Sequence, residues 1–166
     1  MIGERISFAD IVQMYQQPLY WHIRRVVIIH EDAEDLLQET FMKAYKHIWQ
    51  LRSPDALKPW LFRIATNEIG RYFKNHRPCS SVEEVPEQSL VRLSDAPGSP
   101  SPIAISSVVS AAILQMSPLQ RQVFCLRYYE DMDYDQISAI TRTSKNALMV
   151  SYHEARKKIE KQIENV

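Results

Sequence analysis

Residues 133–158 read DYDQISAITRTSKNALMVSYHEARKK and predict two short amphipathic helices joined by a tight turn. Asp133 suits the N-cap of the first helix, and Gln136 stands where a capping-box partner belongs. The break falls at Arg142, and Ser144 suits the N-cap of the second helix. Two helices with so short a turn form a helix-turn-helix, whose second helix fits the major groove of DNA. The stretch therefore predicts a DNA-binding domain.

The composition favours helices, in a chain large enough for one domain or two small ones. Only three of the 166 residues are glycine, which is few for a hairpin-rich β protein. Cys79 and Cys125 lie far apart and match no zinc spacing, so we expect two reduced thiols. No apolar run approaches the roughly 20 residues that span a bilayer, and no signal-peptide pattern opens the chain. We therefore expect a soluble cytoplasmic protein without direct membrane insertion.

The net charge of zero hides three charged patches. Residues 30–39 carry five acids and no Lys or Arg. Residues 60–77 carry four cations and one acid, and residues 141–161 carry six cations and two acids. Local patches decide what a surface attracts, so these three can bind different partners.

The segment 79–106 differs in composition from its surroundings. Residues 80–106 hold four of the nine prolines, many serines and an excess of acids. Such a composition cannot sustain a helical stripe and predicts an exposed, flexible linker. The linker divides the chain into an N-terminal domain, 1–78, and a C-terminal domain, 107–166. No alternating strand pattern occurs, so the predicted fold is all-α in two small helical domains.

Apolar residues at helical spacing predict the other helices. In the N-terminal domain we predict a short helix interrupted at Pro18, a second helix starting there, and long helices over 32–50 and 58–76. In the C-terminal domain we predict helices over 108–115 and 118–129, ahead of the helix-turn-helix, with Ser117 as the cap of the second and Pro118 at its first position. In the last helix the residues expected to face inward are Ala147, Leu148, Tyr152, Ala155 and Ile159.

The helix over 58–76 mixes aromatic rings with cations. Cations that follow a nucleic-acid backbone, beside rings that stack on unpaired bases, are typical of single-strand binding. The alternative is a solvated helix face with aromatic residues in the core. The candidate DNA-binding residues of this helix are Arg63, Asn67, Arg71, Tyr72, Lys74 and Asn75.

The acidic helix over 32–50 carries a second polar stripe. Asp35, Gln38, Glu39 and Met42 lie opposite its apolar face and could dock a basic partner helix. Acids near a helix N-terminus are also common for dipole reasons alone, so both interpretations stay open on these residues.

An enzyme or metal site is not indicated. The residues that could be imagined as ligands are His22, His30, Glu31, Glu34 and Asp35, and their spacing matches no known ligand set. There is no phosphate-binding glycine loop and no nucleophile elbow. We expect no catalytic residue, metal, cofactor or small-molecule substrate.

Over nearly its whole length the chain resembles the extracytoplasmic-function (ECF) group of bacterial RNA polymerase sigma factors. The segment 32–48, DAEDLLQETFMKAYKHI, looks like the core-binding helix of that family. The segment 57–77, LKPWLFRIATNEIGRYFKNHR, looks like its promoter-melting helix, which reads the −10 element. The segment 117–159 looks like its −35-reading domain. The first two motifs are specific in combination and order.

The resemblance implies partners and residue roles. It implies binding of core RNA polymerase through Asp35, Gln38, Glu39 and the adjacent Met42, and of −10 DNA through the residues named above. It implies that the loop 51–58 captures a flipped-out promoter base. It also implies that the −35 element is bound by the turn and the second helix of the helix-turn-helix. The residues are Arg142, Ser144, Lys145, Asn146, Met149, His153, Arg156 and Lys157.

Three departures from the family pattern bear on DNA binding. Arg142 stands where the turn often has glycine, Met149-Val150-Ser151 where a Lys-Ser-Arg run is common, and Glu154 where Arg is common. Fewer cations mean fewer phosphate contacts and a weaker dependence of affinity on salt.

The resemblance also implies control by an anti-sigma factor. Met42, Met149 and Val150 would suit a protein contact if exposed, since methionine adapts to irregular surfaces, and otherwise they lie under neighbouring helices. Two other functions are weighed against a sigma factor. The first is a helix-turn-helix regulator acting without core polymerase, and the second is a helical adaptor that binds only proteins.

Overall fold

A computed structural model describes residues 6–85 and 103–165, apart from the side chains of 82 and 103–106. All regular structure in these residues is helical, which confirms the all-α prediction. The α-helices are α1 Phe8–Val27, α2 His30–His47, α3 Leu57–Phe73, α4 Ile103–Leu114, α5 Pro118–Tyr128, α6 Tyr134–Thr141 and α7 Lys145–Glu164. Short 3-10 turns lie at Ile48–Gln50, Pro54–Ala56 and Val82–Glu84. Within the described ranges, no helix is long and apolar enough to cross a membrane.

Helix α1 continues through Pro18, so the predicted break there is wrong. A proline inside a helix removes one hydrogen bond and costs about 3 kcal/mol. Ile11 before it and Leu19 and Ile23 after it are all fully buried in one core, and this burial on both sides offsets that cost. Ser7 caps the helix in a reciprocal capping box with Asp10.

The two long N-terminal helices are shorter than predicted at their C-terminal ends. Helix α2 ends at His47 and passes into a 3-10 turn. Helix α3 ends at Phe73 rather than near residue 76, because Lys74 N–H and Asn75 N–H bond carbonyls only three residues back. Lys74 and Asn75 therefore lie just past the end of α3, and both are exposed.

The three predicted caps of the C-terminal helices are confirmed. Ser117 and Asp133 each form a reciprocal capping box with the glutamine three residues on, and Ser144 accepts from the backbone of Ala147. Arg142 ends α6 with φ of 56°, in the left-handed region. Glycine adopts this conformation at no steric cost, and here an arginine takes it.

The N- and C-terminal helices pack against each other. One apolar core contains Val26 and Leu61 from the first half and Val123 and Ile140 from the second. The helix pairs α1–α5 and α3–α6 form this contact. The proposed linker 79–106 lies largely outside the described residues, and the domain boundaries stay a prediction.

Arg121 links the two halves through hydrogen bonds to backbone carbonyls. It is almost completely buried. Its Nη1 donates to the Val26 carbonyl at 2.8 Å, and its Nη2 donates to that of Cys79. Its Nε and Nη2 also donate to the Ile113 and Leu114 carbonyls of its own half at 3.0 and 3.3 Å. A single side chain thus satisfies the carbonyls at the ends of α1 and α4.

Candidate polymerase-binding and nucleic-acid surfaces

The acidic stripe of α2 is exposed and continuous. Asp35, Gln38, Glu39 and Met42 all face solvent, at the i, i+3, i+4 and i+7 spacing that shares one face of a helix. The stripe joins an apolar groove lined by Phe8, Phe41, Met42, Tyr45 and Lys46. An anionic stripe that runs into an apolar groove is suited to a basic, amphipathic partner helix.

Helix α3 carries the predicted basic face. Arg63, Asn67, Arg71 and Lys74 are exposed, and the first three repeat at every fourth position. Arg71 is 66% exposed, with its Nη1 3.5 Å from Glu68 Oε1. Exposed cations on one face of a helix can follow a phosphate backbone.

Tyr72 lies on a different side of α3 from these cations. Its hydroxyl donates to Asp32 Oδ2 at 2.7 Å, and its ring stacks on His76 with centroids 4.1 Å apart. Burial and the hydrogen bond to Asp32 raise the pKa of the Tyr72 phenol, so it stays protonated. The contact ties α3 to the start of α2, and no sequence pattern predicted it.

Buried Glu68 also links α3 to α2. It accepts from Lys43 Nζ in a partly buried ion pair, and Arg71 stands on its outer side. The one acid among residues 60–77 is therefore paired with Lys43 of α2, on the buried side of the basic face.

Trp49 is a functional candidate that sequence reasoning missed. It lies in the connection between α2 and α3, and its ring is 76% exposed. Its Nε1 donates to the Lys46 carbonyl at 3.1 Å, which fixes the ring against the helix end. The sequence feature that could have revealed this candidate is a tryptophan just past the last apolar position of α2.

Helix α7 presents the predicted recognition face. The exposed residues of this face are Lys145, Asn146, Met149, His153, Arg156 and Lys157. Leu148 and Ala155 are buried on the opposite side, whereas Ala147 is exposed, so its predicted inward position is wrong. Ala147 lies in the first turn of α7. Arg142 and Ser144, at the turn, are exposed as well.

Two of the cations on α7 have acidic neighbours. Lys145 pairs with Asp135 of α6 at 3.0 Å, and Arg156 Nη2 lies 4.0 Å from Glu160. Exposed pairs of this kind contribute little to stability and exchange readily for phosphate contacts.

Met42, Met149 and Val150 are all exposed, at 53%, 45% and 58%. The alternative that they lie under neighbouring helices is wrong.

The imagined ligand set is dispersed. His22 is buried against Phe62, while His30 lies 2.6 Å from the Tyr20 hydroxyl and 3.4 Å from Glu34. In the described ranges, no three potential ligands gather closely enough to hold a metal ion. Both cysteines are free thiols, and burial raises the pKa of Cys125 to about 12.

Comparison with known proteins identifies both halves. The sigma-70 region 2 family matches residues 11–78, and the sigma-70 region 4 family matches residues 107–159. The ECF RNA polymerase sigma factor SigM of Bacillus subtilis (strain 168) is 30% identical over 141 residues, which cover 84% of this chain and 85% of SigM. SigW of the same organism is 25% identical over 183 residues, covering 99% and 92%.

Two solved structures share the fold. The sigma factor RpoE of Bartonella quintana, in complex with the anti-sigma factor NepR, aligns with a TM-score of 0.71 and 20% identity over 95% of this chain and 96% of that one. CnrH, in complex with the cytosolic domain of CnrY, aligns with a TM-score of 0.67 and 20% identity over 98% and 91%.

The chain belongs to the sigma-70 family of RNA polymerase sigma factors, in its ECF group. A sigma factor binds core RNA polymerase and promoter DNA to start transcription. A regulator acting without polymerase does not account for the region 2 match, and a protein adaptor does not account for either match.

Proposed function

We propose that the separate exposed faces of this sigma factor bind different partners. The acidic stripe of α2 (Asp35, Gln38, Glu39, Met42) binds core polymerase, and the basic face of α3 binds the −10 strand as the promoter opens. The exposed face of α7 binds the −35 duplex. The observation that carries this assignment is the separation of an anionic face and a cationic face on two adjacent, mutually packed helices.

The contacts around α3 support the −10 assignment. Lys43 neutralises Glu68, so Arg71 and Lys74 present net positive charge to a single strand. Trp49 is an exposed ring close to the loop 51–58 and can stack on an unpaired base there. Tyr72 lies on another side of α3 and holds this helix against α2 through its hydrogen bond to Asp32.

Run-off transcription with purified core polymerase on a promoter library tests the function. We expect a small set of promoters to be transcribed only when this chain is present. Arg71→Ala is expected to slow open-complex formation, and a pre-melted promoter is expected to relieve that part of the defect. If no promoter in the library responds, the proposed promoter-directing role is refuted.

Asn146→Ala tests the upstream half of the assignment. A major-groove amide contact discriminates bases by about 1–3 kcal/mol, so this variant is expected to lose preference among −35 sequences. Lys161→Ala removes a cation near the other end of α7 and serves as the control. Unchanged −35 preference in Asn146→Ala would remove this residue from the recognition surface.

We further propose that an anti-sigma factor holds this chain inactive. The groove beside Met42 and the exposed Met149 and Val150 give such an inhibitor apolar contacts on both halves. The solved structures of RpoE with the anti-sigma factor NepR and of CnrH with the cytosolic domain of CnrY support the proposal by analogy of fold.

A pull-down from native cells tests this control. It is expected to recover a protein that competes with core polymerase for the chain, and Met42→Glu is expected to weaken that protein's binding. Recovery of polymerase alone while the target promoters are silent would instead indicate control by expression level.

The proposed function is one of binding, in the cytoplasm, without catalysis or a cofactor. No role in it requires a reacting group: each named residue contributes charge, a hydrogen bond or an apolar contact.

A further inference from the structure

A cleft of about 430 Å³ lies between α3 and the corner formed by α5 and α6. Arg71 and Lys74 enter it from one side and Arg142 from the other, and the described residues that line it include no carboxylate. Its apolar wall is formed by Leu119 and Ile140. Its volume is in the range of small-ligand sites.

Two buried polar atoms at this cleft have no hydrogen-bond partner among the described residues. Gln122, only 8% exposed, lines the cleft from α5 with its side-chain oxygen unbonded. The Thr66 hydroxyl, opposite on α3, is likewise unbonded. Buried polar groups are nearly always paired, and an orphan carries a free-energy cost that a bound ligand removes.

Gly70 gives an independent indication of a site. It lies inside α3, where glycine is unfavourable relative to alanine, and it lines the cleft. A Cβ added to it would meet no atom within 4 Å, so packing does not require the glycine. The space above it is open for a ligand to approach the helix closely.

We propose that this cleft binds a small phosphorylated ligand of mononucleotide size. Its phosphates lie on Arg71, Lys74 and Arg142, its apolar part rests on Leu119 and Ile140, and its polar edge bonds Gln122. The Arg71 contact to Glu68 is long and leaves the guanidinium free to turn toward a phosphate.

Ligand binding at this cleft has a regulatory consequence. Both halves of the chain build the site, so a bound ligand stabilises their packed arrangement. Because Arg71 and Lys74 also belong to the proposed −10 surface, the ligand competes with the opened promoter. This consequence rests on the proposed function, whereas ligand binding itself does not.

Calorimetric titration of the full free chain tests the site without polymerase or promoter. The probes are GTP, inorganic pyrophosphate, inorganic phosphate and a short single-stranded oligonucleotide, which separates free phosphorylated ligands from DNA phosphates. We expect GTP to bind more tightly than pyrophosphate, and pyrophosphate more tightly than phosphate.

Two variants, one from each half, decide whether binding occurs in the cleft. Gln122→Leu removes the amide with nearly the same shape, and Gly70→Met fills the open space above α3. Each is expected to weaken GTP binding about tenfold, because the first variant loses a hydrogen bond to the ligand and the second loses the space that the ligand occupies. Lys161→Ala, which removes a cation from an exposed site outside the cleft, is expected to bind like the parent.

Circular dichroism checks that each variant keeps its helices. If one cleft variant unfolds, GTP binding by the other cleft variant decides whether the ligand occupies the cleft. Three results would overturn the proposal: no binding of GTP or pyrophosphate by the parent, unchanged GTP binding in the folded cleft variants, or binding of the oligonucleotide alone. The last result would assign these cations to DNA only.

Discussion

His22 makes the stability of this sigma factor depend on pH. It is almost completely buried on α1, and its ring packs edge-on against Phe62 with centroids 5.3 Å apart. In the part of the chain that the structure describes, neither ring nitrogen has a hydrogen-bond partner. Burial, assisted by the charge of Arg25, lowers the His22 pKa from 6.5 to about 3. The folded protein therefore holds the imidazole neutral.

The sign of the effect follows from proton uptake. Between pH 6.5 and 3 the unfolded chain binds a proton at His22 and the folded chain does not, so stability falls as the pH falls. One pKa unit corresponds to about 1.4 kcal/mol, so His22 alone lowers the free energy of unfolding by about 2 kcal/mol between pH 8 and pH 5.

Urea unfolding of the parent and of His22→Leu at pH 5, 6, 7 and 8 measures how much His22 contributes to the pH dependence of the free energy of unfolding. The leucine cannot titrate, so the stability of the variant relative to the parent is expected to rise by about 2 kcal/mol from pH 8 to pH 5. His153→Leu, on the exposed face of α7, is the matched control and is expected to show little such change. A His22→Leu difference that stays constant with pH would refute the reasoning.

Three other substitutions test the packing. Arg121→Met, which leaves carbonyls of both halves without a donor, is expected to lower the free energy of unfolding by at least about 2 kcal/mol in urea titrations, and to expose new cleavage sites in limited proteolysis. Ser117→Ala removes a capping box and is expected to cost about 1 kcal/mol, with Ser80→Ala as an exposed control. Gly70→Ala is expected to raise the thermal midpoint, since its Cβ meets no atom and alanine favours helix by about 0.5–1 kcal/mol; a lower midpoint would contradict this.

Local signals predicted the parts of the fold that local physics determines. The caps at Ser117, Asp133 and Ser144 depend on side chains within three residues, and all three were predicted. Pro18 misled the prediction because α1 is buried against α2, α3 and α5, and the residues next to Pro18 in the sequence do not show that packing.

In the candidate sites too, features set by helical spacing were predicted and features set by packing between helices were not. The exposed stripes on α2 and α7 follow from helical spacing alone, so the sequence was enough to expect them. The hydrogen bond from Tyr72 to Asp32 and the approach of Arg142 to Arg71 depend on how the helices pack. The carbonyls that Arg121 binds have no sequence signature, because every residue carries one.

Binding of core RNA polymerase by an α2 variant tests the central assignment most directly. Asp35→Ala with Glu39→Ala removes two exposed carboxylates from the proposed docking stripe, and Glu160→Ala with Glu164→Ala removes two from the end of α7 as the charge-matched control. Charged contacts at an interface cost about 2–5 kcal/mol when truncated, so affinity for core is expected to fall by orders of magnitude in the first variant only. Helix content by circular dichroism is expected to stay at the parent level. Parent-like core binding by the folded α2 variant would contradict the account.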